Sequence, residues 1–313
     1  MCALHVREAD RLEATILVDN YSDLLLLQST EVVMRPQIRP PGALLAEHGF
    51  SCLLKVYAGS EEHHVLFDTG ISSTCLFHNA DVLQVDWSKL ESVVLSHGHF
   101  DHFGGLVKLL NSAPTGIPLI LHQDAFLQRR FNIPVIGRIA ESPILDEDVL
   151  KGTGAVIHKS NGPSTVASDL IMVSGEVERV TDFEKGFPWA EAQIDGQWVV
   201  DPFHDDQCVA VNVKGKGLVV IGGCSHAGII NSVKHVKNVM QTEAVHAVAG
   251  GFHLTGPIFE PIIAPTIEEI KKIGPEYVVP THCTGWKATN CFAEEMPEQF
   301  ILNTVGTTYV FQR

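Results

Sequence analysis

The run His97-Gly98-His99-Phe100-Asp101-His102 places three imidazoles and one carboxylate within six residues, directly after the apolar stretch Val93-Val94-Leu95-Ser96. Side chains two apart in an extended segment project to the same side, so His97 and His99 can share one cation, whereas the adjacent Asp101 and His102 diverge and can reach a second. Neutral imidazole and carboxylate donors suit Zn²⁺ first, with Mn²⁺ or Fe²⁺ as alternatives, and few protein ligands per ion leave room for water. A water held between two ions roughly 3.5–4 Å apart is deprotonated near neutral pH and is a nucleophile. The expected cofactor is a pair of divalent metal ions, and the expected chemistry is hydrolysis or group transfer, with Asp101 also at the reacting centre.

The elements that must position this cassette are legible as alternating short runs. Strand-like segments are Ala14 to Val18, Ser51 to Ala58, Val65 to Asp68, Ser92 to Ser96, Leu119 to His122, Leu170 to Val177, Cys208 to Val213, Leu218 to Gly222, Ala244 to Ala249 and Tyr277 to Thr281. Helical patterns cover Leu106 to Leu110, Ile229 to Met240 and Thr266 to Ile273, the last opening after Pro265 with Thr266 as N-cap. Strands interspersed with helices, several of them almost wholly apolar, predict an α/β fold: an αββα sandwich of two mixed sheets flanked by helices. No linker or repeat divides the chain, so residues 1–313 read as one domain. The stretch of about 126–186, richer in Pro and Gly and poorer in periodicity, reads as an elaboration that could lie over a site.

Composition narrows the partners. A formal charge of −15 argues against tracking a nucleic-acid backbone, which needs a basic surface. The apolar runs are far short of a membrane span. Seven scattered cysteines, none in a Cys-x-x-Cys pair, fit reduced thiols in the cytoplasm. A small-molecule substrate remains.

Together with Leu66-Phe67-Asp68-Thr69-Gly70, the cassette resembles the signature of the metallo-β-lactamase superfamily. The resemblance implies that Asp68 lies beneath the metals and orients the cassette, and that His282, closing Tyr277-Val278-Val279-Pro280-Thr281-His282, is the last ligand. The middle of the pattern departs from the superfamily. Cys224 stands where a bridging aspartate is expected, as a bridging thiolate or an uncoordinated thiol, with His226 two residues on. Asp205, beside His204, stands where an intermediate histidine is expected. His226 ranks ahead of both as a ligand.

Leu17-Val18-Asp19-Asn20, Ala46-Glu47-His48-Gly49-Phe50-Ser51, Gly223-Cys224-Ser225-His226-Ala227-Gly228-Ile229, Gly250-Gly251-Phe252-His253-Leu254 and His282-Cys283-Thr284-Gly285 extend the likeness over most of the chain. Together they look like the dihydropterin-synthase-like branch, named for synthesis of a ribofuranosylaminobenzene 5′-phosphate pterin conjugate. That implies a small substrate bearing a pterin or a phosphate. His253, after an apolar strand, is placed for substrate contact or proton transfer; His48 could enter the cavity or simply form a turn. The amides of Ser225 to Ile229, opening a helix, would favour an anionic group. Two other classes stay open on the sequence: an iron-dependent redox enzyme of the same fold, and a non-catalytic, metal-stabilised ligand-binding or sensor protein.

Overall fold

The computed structural model describes residues 4–39, 42–133 and 137–313, so Cys2 lies outside it. Two large mixed sheets stack face to face. One has eight strands in the order Val156–Lys159, Pro118–Leu121, Leu90–Val94, Glu61–Phe67, Ser51–Ala58, Arg11–Val18, Thr308–Gln312 and Val33–Met34. Its first four strands run parallel and its remaining pairings are antiparallel. The other sheet runs Ser164–Val166, Ile171–Val173, Cys208–Val213, Gly217–Gly222, Val245–Gly251, Tyr277–Thr281, with Glu8–Ala9 alongside Cys208–Val213.

Three apolar layers hold this stack together. Leu12, Leu54, Phe67 and Val94 of the first sheet meet Val209, Val219, Ala247 and Val279 of the second between the sheets. Outside the second sheet, Leu218, Val220 and Val248 pack against Ile229, Val233 and Val236 of the helix Ile229–Met240 and against Ile267 and Ile270 of Ile263–Ile273. Outside the first, Leu66 and Val93 pack against the helices Ser73–Val82 and Leu106–Ser112. Strands that are apolar on both faces need cover on both, which is the αββα arrangement expected from their composition.

The expected boundaries hold for Ser51–Ala58, Cys208–Val213, Tyr277–Thr281 and Ile229–Met240. Thr266 is not an N-cap: the helix begins at Ile263, and Thr266 Oγ1 donates to the Ile262 carbonyl from inside it. Pro265 is tolerated there because first-turn N–H groups have no intrahelical acceptor to lose. The stretch 126–186 is not one insert. Val156–Lys159, Ser164–Val166 and Ile171–Val173 join the large sheets, while Arg138–Glu141 and Arg129–Ile133 belong to a separate four-stranded sheet in the order Gln197–Val200, Ala190–Ile194, Arg129–Ile133, Arg138–Glu141. Outer strands of three to five residues are too short to show a period of two.

Candidate active site

Four strands of the two sheets end at one rim, and a left-handed residue at or just past each end turns the chain. These are Asp68 after Glu61–Phe67, Ser225 after Gly217–Gly222, His253 after Val245–Gly251, and His282 after Tyr277–Thr281, with φ of 61°, 57°, 45° and 49°. Each such non-glycine residue costs roughly 1–2 kcal/mol, and strain of this kind concentrates at functional sites. The fold here uses it to aim side chains into the space above the strand ends.

The cassette follows Leu90–Val94 and fills the floor of that space. His97, His99 and His102 are buried, as is Asp101. Asp68 anchors them from below: Oδ1 accepts the Ser96 N–H at 2.7 Å, and Oδ2 accepts the Ser96 hydroxyl at 2.7 Å and lies 2.6 Å from His102 Nδ1. His102 Nδ1 is thereby committed, leaving Nε2 facing Cys224 Sγ at 3.1 Å. His282 is seated by its backbone, whose N–H donates to Asp19 Oδ1 at 2.7 Å.

Two groups of donors result, each close enough to close on a single cation: Asp101, His102, Cys224 and His282, and His97, His99 and His226. Asp101 Oδ2 lies 3.3 Å from His282 Nε2 and 3.8 Å from His102 Nε2. His226 Nε2 lies 3.2 Å from His99 Nδ1. His253 forms a third set with Cys224 and His226 on the cavity side. Buried polar atoms are normally satisfied, yet His97 Nε2, His99 Nε2, His226 Nδ1, His253 Nδ1 and His282 Nε2 have no hydrogen-bond partner among the described residues. Orphaned imidazole nitrogens crowded with a carboxylate and a thiol are what a cation site requires, so the residues fit divalent metal.

The electrostatics agree. Burial, reinforced by neighbouring imidazoles, holds His97 and His226 well below the usual histidine range. Burial and then the Arg129 charge push His99 down to about 3. Neutral imidazoles are the ligating form. His102 differs: burial would lower it, but Asp68 and Asp101 outweigh that and raise it to about 9.

A cavity of about 340 Å³ opens above this floor. Its wall is aromatic: Phe187 lies with ring centroids 6.0 Å from Phe131, 6.3 Å from Trp189 and 5.2 Å from Phe259. His253 joins it, 4.5 Å from Phe259 and 4.3 Å from the His226 ring. Phe203 stacks on His226 at 4.2 Å. His48 stands at the mouth, its Nε2 3.3 Å from Asp101 Oδ2. No lysine or arginine is among the described residues that line the cavity.

Two expectations need correction. Asp205 is in neither donor group: Oδ2 accepts the Gly98 N–H at 2.8 Å and Oδ1 accepts from Arg129 Nη2 at 2.7 Å, so both oxygens are committed. His204 beside it is half-exposed, 3.3 Å from Asp124. The amides opening the helix Ile229–Met240 do not await an anion either. Glu184 accepts the Ile230 and Asn231 N–H groups at 2.9 Å each, and Asp206 accepts Ala227 N–H at 2.8 Å. The chain supplies its own carboxylates to the helix N-terminus. Arg129, Glu184 and the aromatic wall carried no signal in the sequence, because each acts across a long chain separation with no local spacing to mark it.

A sandwich of two mixed sheets with a histidine-rich cassette at the strand ends defines a metallo-β-lactamase-type protein, and comparison agrees. A family model described as the metallo-beta-lactamase superfamily matches residues 51–229. The 7,8-dihydropterin-6-methyl-4-(beta-D-ribofuranosyl)-aminobenzene-5'-phosphate synthase of Methanocaldococcus jannaschii is 31% identical over 259 residues, covering 82% of this chain and 87% of the relative. An uncharacterized protein of the same organism is 33% identical over 245 residues, 78% of this chain and 86% of its own length. The crystal structure of Tm1679, a metal-dependent hydrolase of the beta-lactamase superfamily, aligns with a TM-score of 0.73 at 26% identity, covering 96% of this chain and 100% of that one. The chain belongs to the metallo-β-lactamase superfamily, in its dihydropterin-synthase-like branch.

Proposed function

We propose that this protein is a metal-dependent hydrolase or transferase acting on a small molecule that carries a flat, pterin-like ring. The observation that carries the reading is the pair of donor groups on the cavity floor with their orphaned imidazole nitrogens. His97, His99 and His226 would hold one ion, and Asp101, His102, Cys224 and His282 the other, with zinc the best match to this nitrogen, oxygen and sulfur set. Bound there, the ions supply Lewis acidity that makes water acidic near neutral pH and polarises a substrate oxygen.

The chain's own residues do the rest. Phe131, Phe187, Trp189 and Phe259 exclude water and accept a planar ring by stacking. His253 lines the cavity over Cys224 and His226 with Nδ1 unpartnered, placed to pass a proton to or from the substrate. Asp101 Oδ2 lies 3.3 Å from both His48 Nε2 and His282 Nε2, at the reacting centre. The aromatic wall supports a pterin-bearing substrate, the moiety named in the Methanocaldococcus jannaschii synthase; the cavity offers a phosphate no side-chain cation among the described residues. Among the described residues no helix is long and apolar enough to cross a membrane, and six cysteines are unpaired, which supports a reducing, cytoplasmic setting.

The test is elemental analysis of purified protein, with assay of pterin-conjugate formation and hydrolysis before and after chelation. Two bound divalent ions, turnover lost on stripping and restored by zinc are expected. Full turnover by the stripped protein would refute the mechanism. Asp101→Ala should abolish turnover while 7,8-dihydropterin still quenches Trp189 fluorescence.

A further inference from the structure

The segment Asp205-Asp206-Gln207 grips both segments that carry His97, His99 and His226. Asp205 Oδ2 accepts the Gly98 N–H at 2.8 Å, between His97 and His99. Gln207 holds the strand end just before the cassette, its Nε2 donating to Leu95 O at 2.8 Å and its N–H to Ser96 O at 3.0 Å. Asp206 Oδ2 accepts the N–H of Ala227, next to His226, at 2.8 Å. Arg129 closes the grip from the small sheet. Its Nη2 reaches Asp205 Oδ1 at 2.7 Å, its Nε reaches Asp201 Oδ2 at 2.7 Å, and its Nη1 lies 3.4 Å from Gly98 O. The Gly98 peptide is thus held on both sides, N–H by Asp205 and C=O by Arg129. A Cβ at Gly98 would stand 2.5 Å from Arg129 Nη1 and 2.1 Å from Ala125 O.

We propose that Asp205 and Arg129 are positioning residues that set the spacing of His97, His99 and His226 and hence the affinity of that site for its cation. The proposal rests on the metal reading above. Its physical basis is that a ligand set closes on an ion only when its backbone is held to within fractions of an ångström. These three imidazoles come from two segments 127 residues apart, and Asp205-Asp206-Gln207 is hydrogen-bonded to both. Hydrogen-bond partners behind metal ligands typically govern affinity by 10–100-fold.

A general loss of fold is distinguishable from loss of positioning. Asp205→Asn keeps the shape but turns an NH₂ toward either the Gly98 N–H or the Arg129 guanidinium, so one of the two contacts becomes donor against donor. Arg129 still pairs with Asp201 in this variant, and folding should survive. Arg129→Lys is the second variant, keeping the charge but losing the planar fork. Glu191→Gln, which breaks the Arg130 pair in the same small sheet without touching the cassette, is the control. Zinc binding is followed by competition with a chromophoric chelator, and site geometry by the visible spectrum of the Co²⁺-loaded protein.

In Asp205→Asn and Arg129→Lys, one of two zinc ions should bind roughly 10–100-fold more weakly with an altered Co²⁺ spectrum. The other ion, and both ions in Glu191→Gln, should bind as in the wild type. Two ions bound with wild-type affinity in both positioning variants would overturn the proposal alone. A wild type that binds no zinc would overturn the metal reading and this proposal with it.

Discussion

Glu184 offers the sharpest energetic test, because sequence reasoning placed a substrate anion where the structure puts this side chain. Its carboxylate accepts two buried amide N–H groups at the start of the helix Ile229–Met240, each at 2.9 Å, and the Thr181 hydroxyl at 3.0 Å. Glu184→Ala leaves those amides without an acceptor and opens a hole in front of them. An unsatisfied buried donor costs about 1–3 kcal/mol, and the helix dipole loses a counter-charge worth about 0.3–1 kcal/mol. Against this, burying the carboxylate is itself unfavourable, as the upward shift of its pKa by burial shows. A net loss of about 2–4 kcal/mol follows, and with about 2.1 cal/mol/K of unfolding entropy per residue over 313 residues that is roughly a 3–6 °C fall in Tm. The assay is thermal and urea unfolding of the metal-free protein, repeated with formate or acetate, which can occupy the vacated space and should restore part of the loss. A Tm within a degree of wild type, or a fall that neither anion reverses, would refute the idea that Glu184 acts as the acceptor for this helix end.

The same residue predicts a pH dependence. Its folded pKa is raised above 4.5 by burial, so ionising it costs the folded state stability: the penalty is absent below the unfolded value and grows as pH rises through the folded one. The stability difference between wild type and Glu184→Gln should therefore move in favour of the variant as pH climbs from 4.5 toward neutrality, measured by urea midpoints; a constant difference would count against it. Gly98→Ala forces a Cβ to within 2.1 Å of Ala125 O, where ordinary contact begins at 3.4 Å. A loss of about 1–3 kcal/mol is expected, with weaker zinc binding in a chelator competition. Chelation of wild-type protein should lower Tm, by about 2.7 kcal/mol of stability if free metal had stood at 100 times Kd, and calorimetry reads this directly. Phe187→Ala removes the ring at the centre of the aromatic wall and should raise KM for a pterin substrate several-fold more than it lowers kcat.

The layered fold and the cassette are legible in the order of the residues. Apolar strands such as Leu218 to Ile221 must be covered on both faces, and with the helices interspersed among them and the cassette's resemblance to a known superfamily this points to sheet against sheet with helices outside. His97 to His102 is a contiguous motif, so spacing along the chain reports its geometry directly. His282 and His226 were legible for a related reason: each ends an apolar strand or the turn just after one, and strand ends of one sheet converge on one rim. The roles of Asp205 and of the helix opening at Ile229 depend on partners that no local pattern reveals. An acid before a strand looks the same whether it faces a cation or a guanidinium; Arg129, 76 residues away, decides which. Free amides at a helix start attract any carboxylate, and Glu184, 46 residues upstream of Ile230, is already there. Backbone periodicity is written locally and survives in the sequence. The pairing of buried charges is set by which distant segments the packed sheets bring together, and only the tertiary structure decides it.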